Sequence, residues 1–359
     1  MNKTHKKLTR ALLWAPAKLY ELAVRLRVAA YETDYLKQKE LTATVISVGN
    51  MTLGGAGKTP MVQYIARYLA SEDHSVSILS RGYGRKSSGM RVLNDPANRN
   101  HVDSARSYLE SGDEPLMLAR SLPDIPIIVN KDRFEAGRLA EQEFGAGVLV
   151  LDDAYQHLSL ARDLNLLLID ATDTFGGFEM PPFGRLREPL YGLKRADAVI
   201  VTRADRAFDE GQTQAIIKHY CGDSVPIMYF YSGITALRHL ATNEVYEVTN
   251  FAGWNVAVAC GIGNPQAFSD DILQVGINIV GEKFFRDHHA FTQADLDEIT
   301  RVAKEAGADA ILTTEKDAIR LEGLTHGDIP IYAAQLEIQS DDEVKLKSLL
   351  LRTVSKRRS

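Results

Sequence analysis

A β-branched apolar run, Val45-Ile46-Ser47-Val48, turns at Gly49 toward Gly54-Gly55-Ala56-Gly57-Lys58-Thr59-Pro60, after which Met61, Ile65 and Leu69 recur about one helical turn apart. Strand, glycine loop and helix in that order gather backbone N–H groups at a helix N-terminus, where they wrap nucleotide phosphates. In such a loop the lysine, here Lys58, reaches the outer phosphates, and the hydroxyl of Thr59 can hold Mg2+. The general pattern asks for glycine five residues before Gly57, and Thr52 stands there instead. Flanking strand and helix outweigh that departure, so residues Gly54 to Pro60 read as a phosphate loop rather than an incidental turn.

At 359 residues the chain exceeds what one hydrophobic core usually fills. Its 45% hydrophobic and 25% charged content is ordinary for a soluble globular protein. Cys221 and Cys260, the two cysteines, form no Cys-x-x-Cys pair, which argues for a reducing compartment and against a zinc site or disulfide scaffold. The net charge of −5 conceals a basic start: Lys3, Lys6, Lys7, Arg10, Lys18, Arg25 and Arg27 face Glu21 alone within residues 1–30. Leu12, Trp14, Leu19, Leu22 and Leu26 interleave with them, and the longest apolar run, 11–17, is too short to span a bilayer. No small-residue cleavage site follows, so a signal peptide is not expected. Residues 1–35 therefore read as a basic amphipathic helix, suited either to an anionic membrane surface or to packing on its own domain.

Between 42 and about 203 short apolar runs alternate with helical patterns, the signature of a mostly parallel sheet flanked by helices. The fold class is α/β, P-loop NTPase-like. Domain boundaries are expected at 36–225 for the nucleotide domain, 226–249 for a two-stranded linker and 250–330 for a smaller α/β domain. A C-terminal segment, 331–359, should pack back and end in a basic tail. Ligands in parallel sheets sit beyond the carboxyl ends of the strands, which directs attention to the residues that end each run.

Val148-Leu149-Val150-Leu151 closes on Asp152-Asp153, followed by Gln156-His157, as a Walker B strand would to organise Mg2+; turn chemistry is the plainer reading. Ser80-Arg81-Gly82-Tyr83-Gly84-Arg85 follows another strand and could face phosphate or substrate, or be a solvated loop. Gly112-Asp113-Glu114-Pro115 opens a helix, where Asp113 either caps the free N–H groups or serves as a general base. Arg185 and Arg187 could neutralise phosphate or pair with Glu188. Thr292 and Asp295 form a capping pair, leaving Asp287-His288-His289 on the preceding loop as candidates for proton handling or as a surface cluster. Asn130-Lys131-Asp132-Arg133 fails the guanine-recognition tetrapeptide at its fourth position, which favours ATP over GTP.

Together, Val48-Gly49-Asn50 with the phosphate loop, Ser80-Arg81-Gly82-Tyr83, Gly112-Asp113-Glu114-Pro115, Leu151-Asp152-Asp153 to Gln156-His157, Leu186-Arg187-Glu188-Pro189, Asp287-His288-His289 and Thr314-Glu315-Lys316-Asp317-Ala318 resemble the tetraacyldisaccharide 4'-kinase family. The resemblance spans about residues 12–320, and in that family the first loop glycine is absent as well. Ala56 and Ala154-Tyr155 depart from its usual residues without removing a carboxylate, lysine or glycine. The resemblance implies ATP- and Mg2+-dependent phosphorylation of the 4'-hydroxyl of a tetraacyldisaccharide 1-phosphate in lipid A biosynthesis, by a monomeric peripheral protein at the cytoplasmic face of the bacterial inner membrane. No nucleic-acid partner is expected. It implies that Lys58 and Thr59 hold phosphates and metal, that Asp152, Asp153 and Gln156 arrange the metal, and that Asp113 is the base with His288 tuning its proton. Tyr83, Arg85, Glu114 and Arg187 would meet the acceptor. The rival readings are a P-loop kinase of another alcohol, or a membrane-associated nucleotide-dependent switch or ATPase.

Overall fold

A computed structural model describes residues 3–96, 110–287, 289–325 and 327–358. His288 lies outside them. The chain forms two compact units. The first takes residues through Arg81, then Asn130–Tyr231 and Ser340 onward, and the second takes Gly82–Val129 and Ser232–Gln339.

In the first unit, helix α1 (Lys3–Glu32) precedes β1 (Thr44–Asn50), α2 (Lys58–Ser71) and β2 (Val76–Ser80). The second unit then takes β3 (Arg91–Leu93), α3 (Asp113–Ser121) and β4 (Ile127–Val129). Back in the first unit follow α4 (Arg133–Phe144), β5 (Val148–Asp152), β6 (Leu164–Asp170), β7 (Ala198–Thr202), α5 (Glu210–Cys221) and β8 (Ile227–Tyr229). Its strands lie in the order β2-β5-β1-β6-β7-β8 and pair in parallel throughout. Every residue of β1, β5, β6 and β7 is buried, as expected of a parallel sheet covered on both faces. Connections from β1 run toward β2 and those from β6 toward β7, so the crevice where such folds bind ligands opens beyond the ends of β1 and β6.

The second unit continues with β9 (Tyr231–His239), β10 (Val245–Glu247), β11 (Asn255–Cys260), α6 (Pro265–Gln274), β12 (Asn278–Phe284), α7 (Gln293–Glu305), β13 (Ala310–Thr314), α8 (Glu315–Leu321) and β14 (Ile331–Gln339). The order in its sheet is β10-β9-β14-β13-β11-β12, with apolar clusters that include Phe251, Val258 and Leu312 in one case and Ala257, Leu296 and Ile311 in the other. Helix α9 (Glu343–Arg358) belongs to the first unit.

The α/β class and the parallel nucleotide sheet agree with the sequence reading. Several boundaries differ. Residues 82–129 belong to the second unit, where α3 packs on α8 and Arg120 pairs with Glu322 at 2.5 Å, a partnership across some two hundred residues that local pattern does not carry. The expected two-stranded linker dissolves: β8 pairs with β7, and the hairpin is instead β9 with β10, in the register Val245 to Arg238. Ile331–Gln339, expected within a C-terminal tail, is an inner strand of the second sheet.

Helix α1 serves both faces at once. Ala17 and Val28 are buried and Val24 packs against a cluster with Leu167 and Leu193, whereas Trp14, Leu19, Leu22 and Leu26 are each more than half exposed. Leu19, Leu22 and Leu26 share one face by helical spacing. Among the described residues no helix is long and apolar enough to cross a membrane.

Candidate active site

Gly57 caps α2 with φ +70°, a left-handed conformation that glycine adopts without steric cost, and Lys58 and Thr59 follow as the first helical residues. The amides of the loop are thereby collected at the positive end of α2. Thr52, where glycine was expected, is buried and bridges to Leu186 in extended pairing, so no glycine is needed there. Asn50 donates its side-chain amide to the Thr52 carbonyl at 2.9 Å, and Leu53 N–H donates to the Arg185 carbonyl at 2.6 Å. This short ladder also carries Arg187, whose N–H bonds the Met51 carbonyl at 2.7 Å, to the rim of the loop.

The strand tips complete the arrangement. Lys58 Nζ lies 3.3 Å from Asn50 Oδ1 and 3.7 Å from Asp153 Oδ1. Arg187 Nη1 donates to both Asp153 oxygens, at 2.8 and 2.9 Å. Burial alone would raise the Asp153 carboxyl, but the charges of Lys58 and Arg187 outweigh it and hold the group below the usual carboxylate range. Asp153 itself has φ +47°, an uncommon backbone state for a non-glycine residue and one that recurs at functional sites. Asp152 accepts from Ser80 Oγ at 3.0 Å. Gln156 donates to the Asn50 carbonyl at 2.8 Å and to Glu188 Oε1 at 2.9 Å, and Glu188 in turn binds Arg195 at 2.5 Å.

Thr59, Asp152, Asp153 and Gln156 supply hydroxyl, carboxylate and amide oxygens, the hard donors that Mg2+ prefers. Among the described residues no three His, Cys, Asp or Glu cluster into a metal cage.

Sequence reasoning missed two further residues at this rim. Thr202, ending β7, donates to the Ala56 carbonyl at 3.2 Å, and Arg203 reaches the Gly55 carbonyl at 3.3 Å while pairing with Asp170 at the tip of β6. Their common position, at or just past the end of a parallel strand, was the available signal.

In the second unit, Gly112 caps α3 with φ +95°, and a Cβ there would meet the Tyr83 carbonyl at 2.9 Å. Only glycine lets the 82–85 turn sit on the start of α3. Asp113 is therefore the first helical residue and not the cap, and its buried carboxylate binds Arg320 of α8. Glu114 is half-buried beside it. Tyr83 is exposed, and Arg85 spends its guanidinium on the carbonyls of Val129, at 3.3 Å, and Gly89, at 2.7 Å. The Thr292–Asp295 capping box forms as read from sequence, and Asp295 also accepts from His289 at 3.1 Å. The His289 ring stacks on Phe285 with centroids 4.6 Å apart and meets Phe291 edge-on, which makes it a packed residue of this loop.

A family profile described as Tetraacyldisaccharide-1-P 4'-kinase matches residues 9–355. The chain is similar to a tetraacyldisaccharide 4'-kinase of Geobacter sulfurreducens, 37% identical over 341 residues that make up 95% of this chain and 92% of that protein. It is similar to another from Desulfatibacillum aliphaticivorans, 35% identical over 350 residues covering 96% and 92%. Among solved structures it is similar to an "apo" form of LpxK from Aquifex aeolicus in complex with ATP, with a TM-score of 0.75 and 32% identity across 96% of this chain and 99% of that one. Matched nearly end to end in sequence and in fold, the chain belongs to the tetraacyldisaccharide-1-P 4'-kinase family.

Proposed function

We propose that this protein transfers the γ-phosphate of ATP to the 4'-hydroxyl of a tetraacyldisaccharide 1-phosphate, a step of lipid A biosynthesis, while seated peripherally on the cytoplasmic face of the inner membrane. The observation that carries the reading is the cluster of Lys58, Asp153 and Arg187 around the N-terminus of α2, supported by membership of the family. Loop amides 54–59 and Lys58 bind the phosphates, and Arg187 adds positive charge where negative charge gathers. Bound Mg2+ would supply positive charge against the phosphates. Asp152, Asp153, Thr59 and Gln156 are the residues that would hold it.

Asp113 is the base. The acceptor hydroxyl must shed its proton as its oxygen bonds to the γ-phosphorus and the bond to the ADP oxygen breaks, and a carboxylate within hydrogen-bond reach accepts it. His288, outside the described residues, is the residue that the sequence resemblance implies tunes that proton. Tyr83, Glu114, Arg85 and Arg187 stand as acceptor-side candidates, though Arg85 and Arg187 already carry the contacts described above.

A groove of about 640 Å3 between α1 and the 178–191 segment, lined by Trp14, Phe178, Phe183 and Tyr191 with Lys18 and Arg25 both paired to Glu21 in its wall, suits an acylated phosphosugar better than a soluble alcohol. The decisive experiment incubates the pure protein with γ-labelled ATP, Mg2+ and detergent-solubilised tetraacyldisaccharide 1-phosphate. Label in the glycolipid is expected; ATP hydrolysis with unlabelled lipid would instead favour a nucleotide-dependent switch.

A further inference from the structure

Asp113 is gripped by an arginine that no motif pointed to. Arg320, near the end of α8, has a side chain only 3% exposed, and its guanidinium forks onto both Asp113 oxygens, Nε to Oδ1 at 3.2 Å and Nη2 to Oδ2. The third nitrogen, Nη1, faces the His289 carbonyl at 3.3 Å and Asp317 Oδ1 at 3.4 Å. Asp317 is fully buried and anchored in turn by the Gly261 N–H at 2.8 Å and the Thr314 hydroxyl at 2.9 Å. One guanidinium thus ties together the start of α3, the loop at 289 and the first turn of α8. A planar fork does this with fixed geometry, which an ammonium cannot.

Resting on the reading of Asp113 as general base, we propose that Arg320 is a positioning residue for phosphoryl transfer: its fork fixes the Asp113 carboxylate in the one orientation in which it receives the proton of the acceptor hydroxyl. An arginine partner weakens a base, yet the cost is small in this chemistry. The transition state is loose, the attacking oxygen has formed little of its bond to phosphorus, and its proton departs late, so placement of the carboxylate outweighs its basicity. The proton ends on Asp113 and the electron pair of the broken bond on ADP.

The charged groups on the elements around this pair are Glu114 and Arg120 on α3, Glu315, Lys316 and Asp317 on α8 with Glu322 just beyond it and Arg238 of β9 at 3.7 Å from Glu322, Arg85 on the 82–85 turn, and Arg286 and Asp287 on the loop before α7, where His288 adjoins in sequence. Arg120 pairs with Glu322, Lys316 with Asp287 at 3.0 Å, and His289 with Asp295. None of these changes in the variants below.

The test measures kcat, both KM values and the pH dependence of kcat for Arg320→Gln and Arg320→Lys, normalised to folded protein by circular dichroism. Arg320→Gln should lower kcat by roughly 100-fold with KM for ATP unchanged, since orientation is lost and binding is not. Its acid limb should move up by about one pH unit, because a carboxylate that loses its cation protonates more readily. Arg320→Lys keeps the charge and loses the fork; kcat should fall ~10-fold while the limb stays near the wild type. An unmoved limb in Arg320→Gln with a wild-type kcat per folded molecule would make Arg320 a stability strut and overturn the proposal. Should Arg320→Gln not fold, a wild-type kcat per folded molecule in Arg320→Lys overturns it equally. Asp113→Asn, measured alongside, separates the two claims: near-normal turnover there sinks the base itself, whereas an inactive Asp113→Asn beside unaffected Arg320 variants sinks the positioning role alone.

Discussion

Single side chains at the first unit's rim are where the proposed phosphate binding is most directly tested. Lys58 is nearly buried and pointed at the strand tips by Asn50 and Asp153, so its ammonium is already aimed when phosphate arrives. Lys58→Ala should lower turnover by about 100-fold or more while leaving the circular dichroism spectrum intact, a loss typical of removing one preorganised charge from a transition state. Unchanged turnover in steady-state assays would contradict the phosphate role. His157, in the loop that follows β5, offers a pH test. Burial, reinforced by the nearby Arg133 and Arg162 charges, pushes its imidazole down from the ordinary 6.5 to about 4. The fold thus favours neutral imidazole; its contribution is complete above pH 6.5 and disappears as pH falls from 6.5 toward 4. Chemical denaturation across that window should show up to about 3 kcal/mol of stability lost in the wild type beyond what His157→Gln loses. Parallel pH profiles for the two proteins would show that His157 is not buried neutral.

At the scale of elements, α1 is the part whose behaviour departs most from simple packing. One stripe, with Ala17, Val24 and Val28, is committed to the first unit, and the ridge of Leu19, Leu22 and Leu26 is left to the surroundings. Exposed apolar ridges bordered by net positive charge, here Lys18 and Arg25 sharing the single carboxylate of Glu21, are what an anionic bilayer surface binds. Replacing Leu19, Leu22 and Leu26 by glutamate should abolish co-sedimentation with phosphatidylglycerol-containing vesicles without altering ATP binding. Retained vesicle binding would assign the membrane contact elsewhere.

At the scale of the whole molecule, the chain passes between its two units four times, so neither unit is a contiguous stretch of sequence. Nucleotide contacts are assigned to the first unit, and ligand that binds only folded protein stabilises it by mass action. MgATP at a hundred times its dissociation constant should raise the calorimetric midpoint of that unit by roughly 5–10 °C. Lys58→Ala at the same ATP concentration should show little of that shift; an undiminished shift would place the nucleotide away from the phosphate loop.

What could be read without coordinates was what short-range chemistry encodes. Periods of two and 3.6, glycine loops and strand-end acids located the parallel sheet, α2 and the capping box at Thr292, and put Lys58 and Thr59 at the start of α2 and Asp152 at the tip of β5. Partnerships between residues far apart in the chain have no local signature, because burial and ion pairing depend on which surfaces meet. For that reason only the tertiary structure decided that β14 is an inner strand, that residues 82–129 join the second unit, that Thr52 replaces a glycine by pairing with Leu186, and that Asp113 belongs to Arg320 rather than to a helix cap.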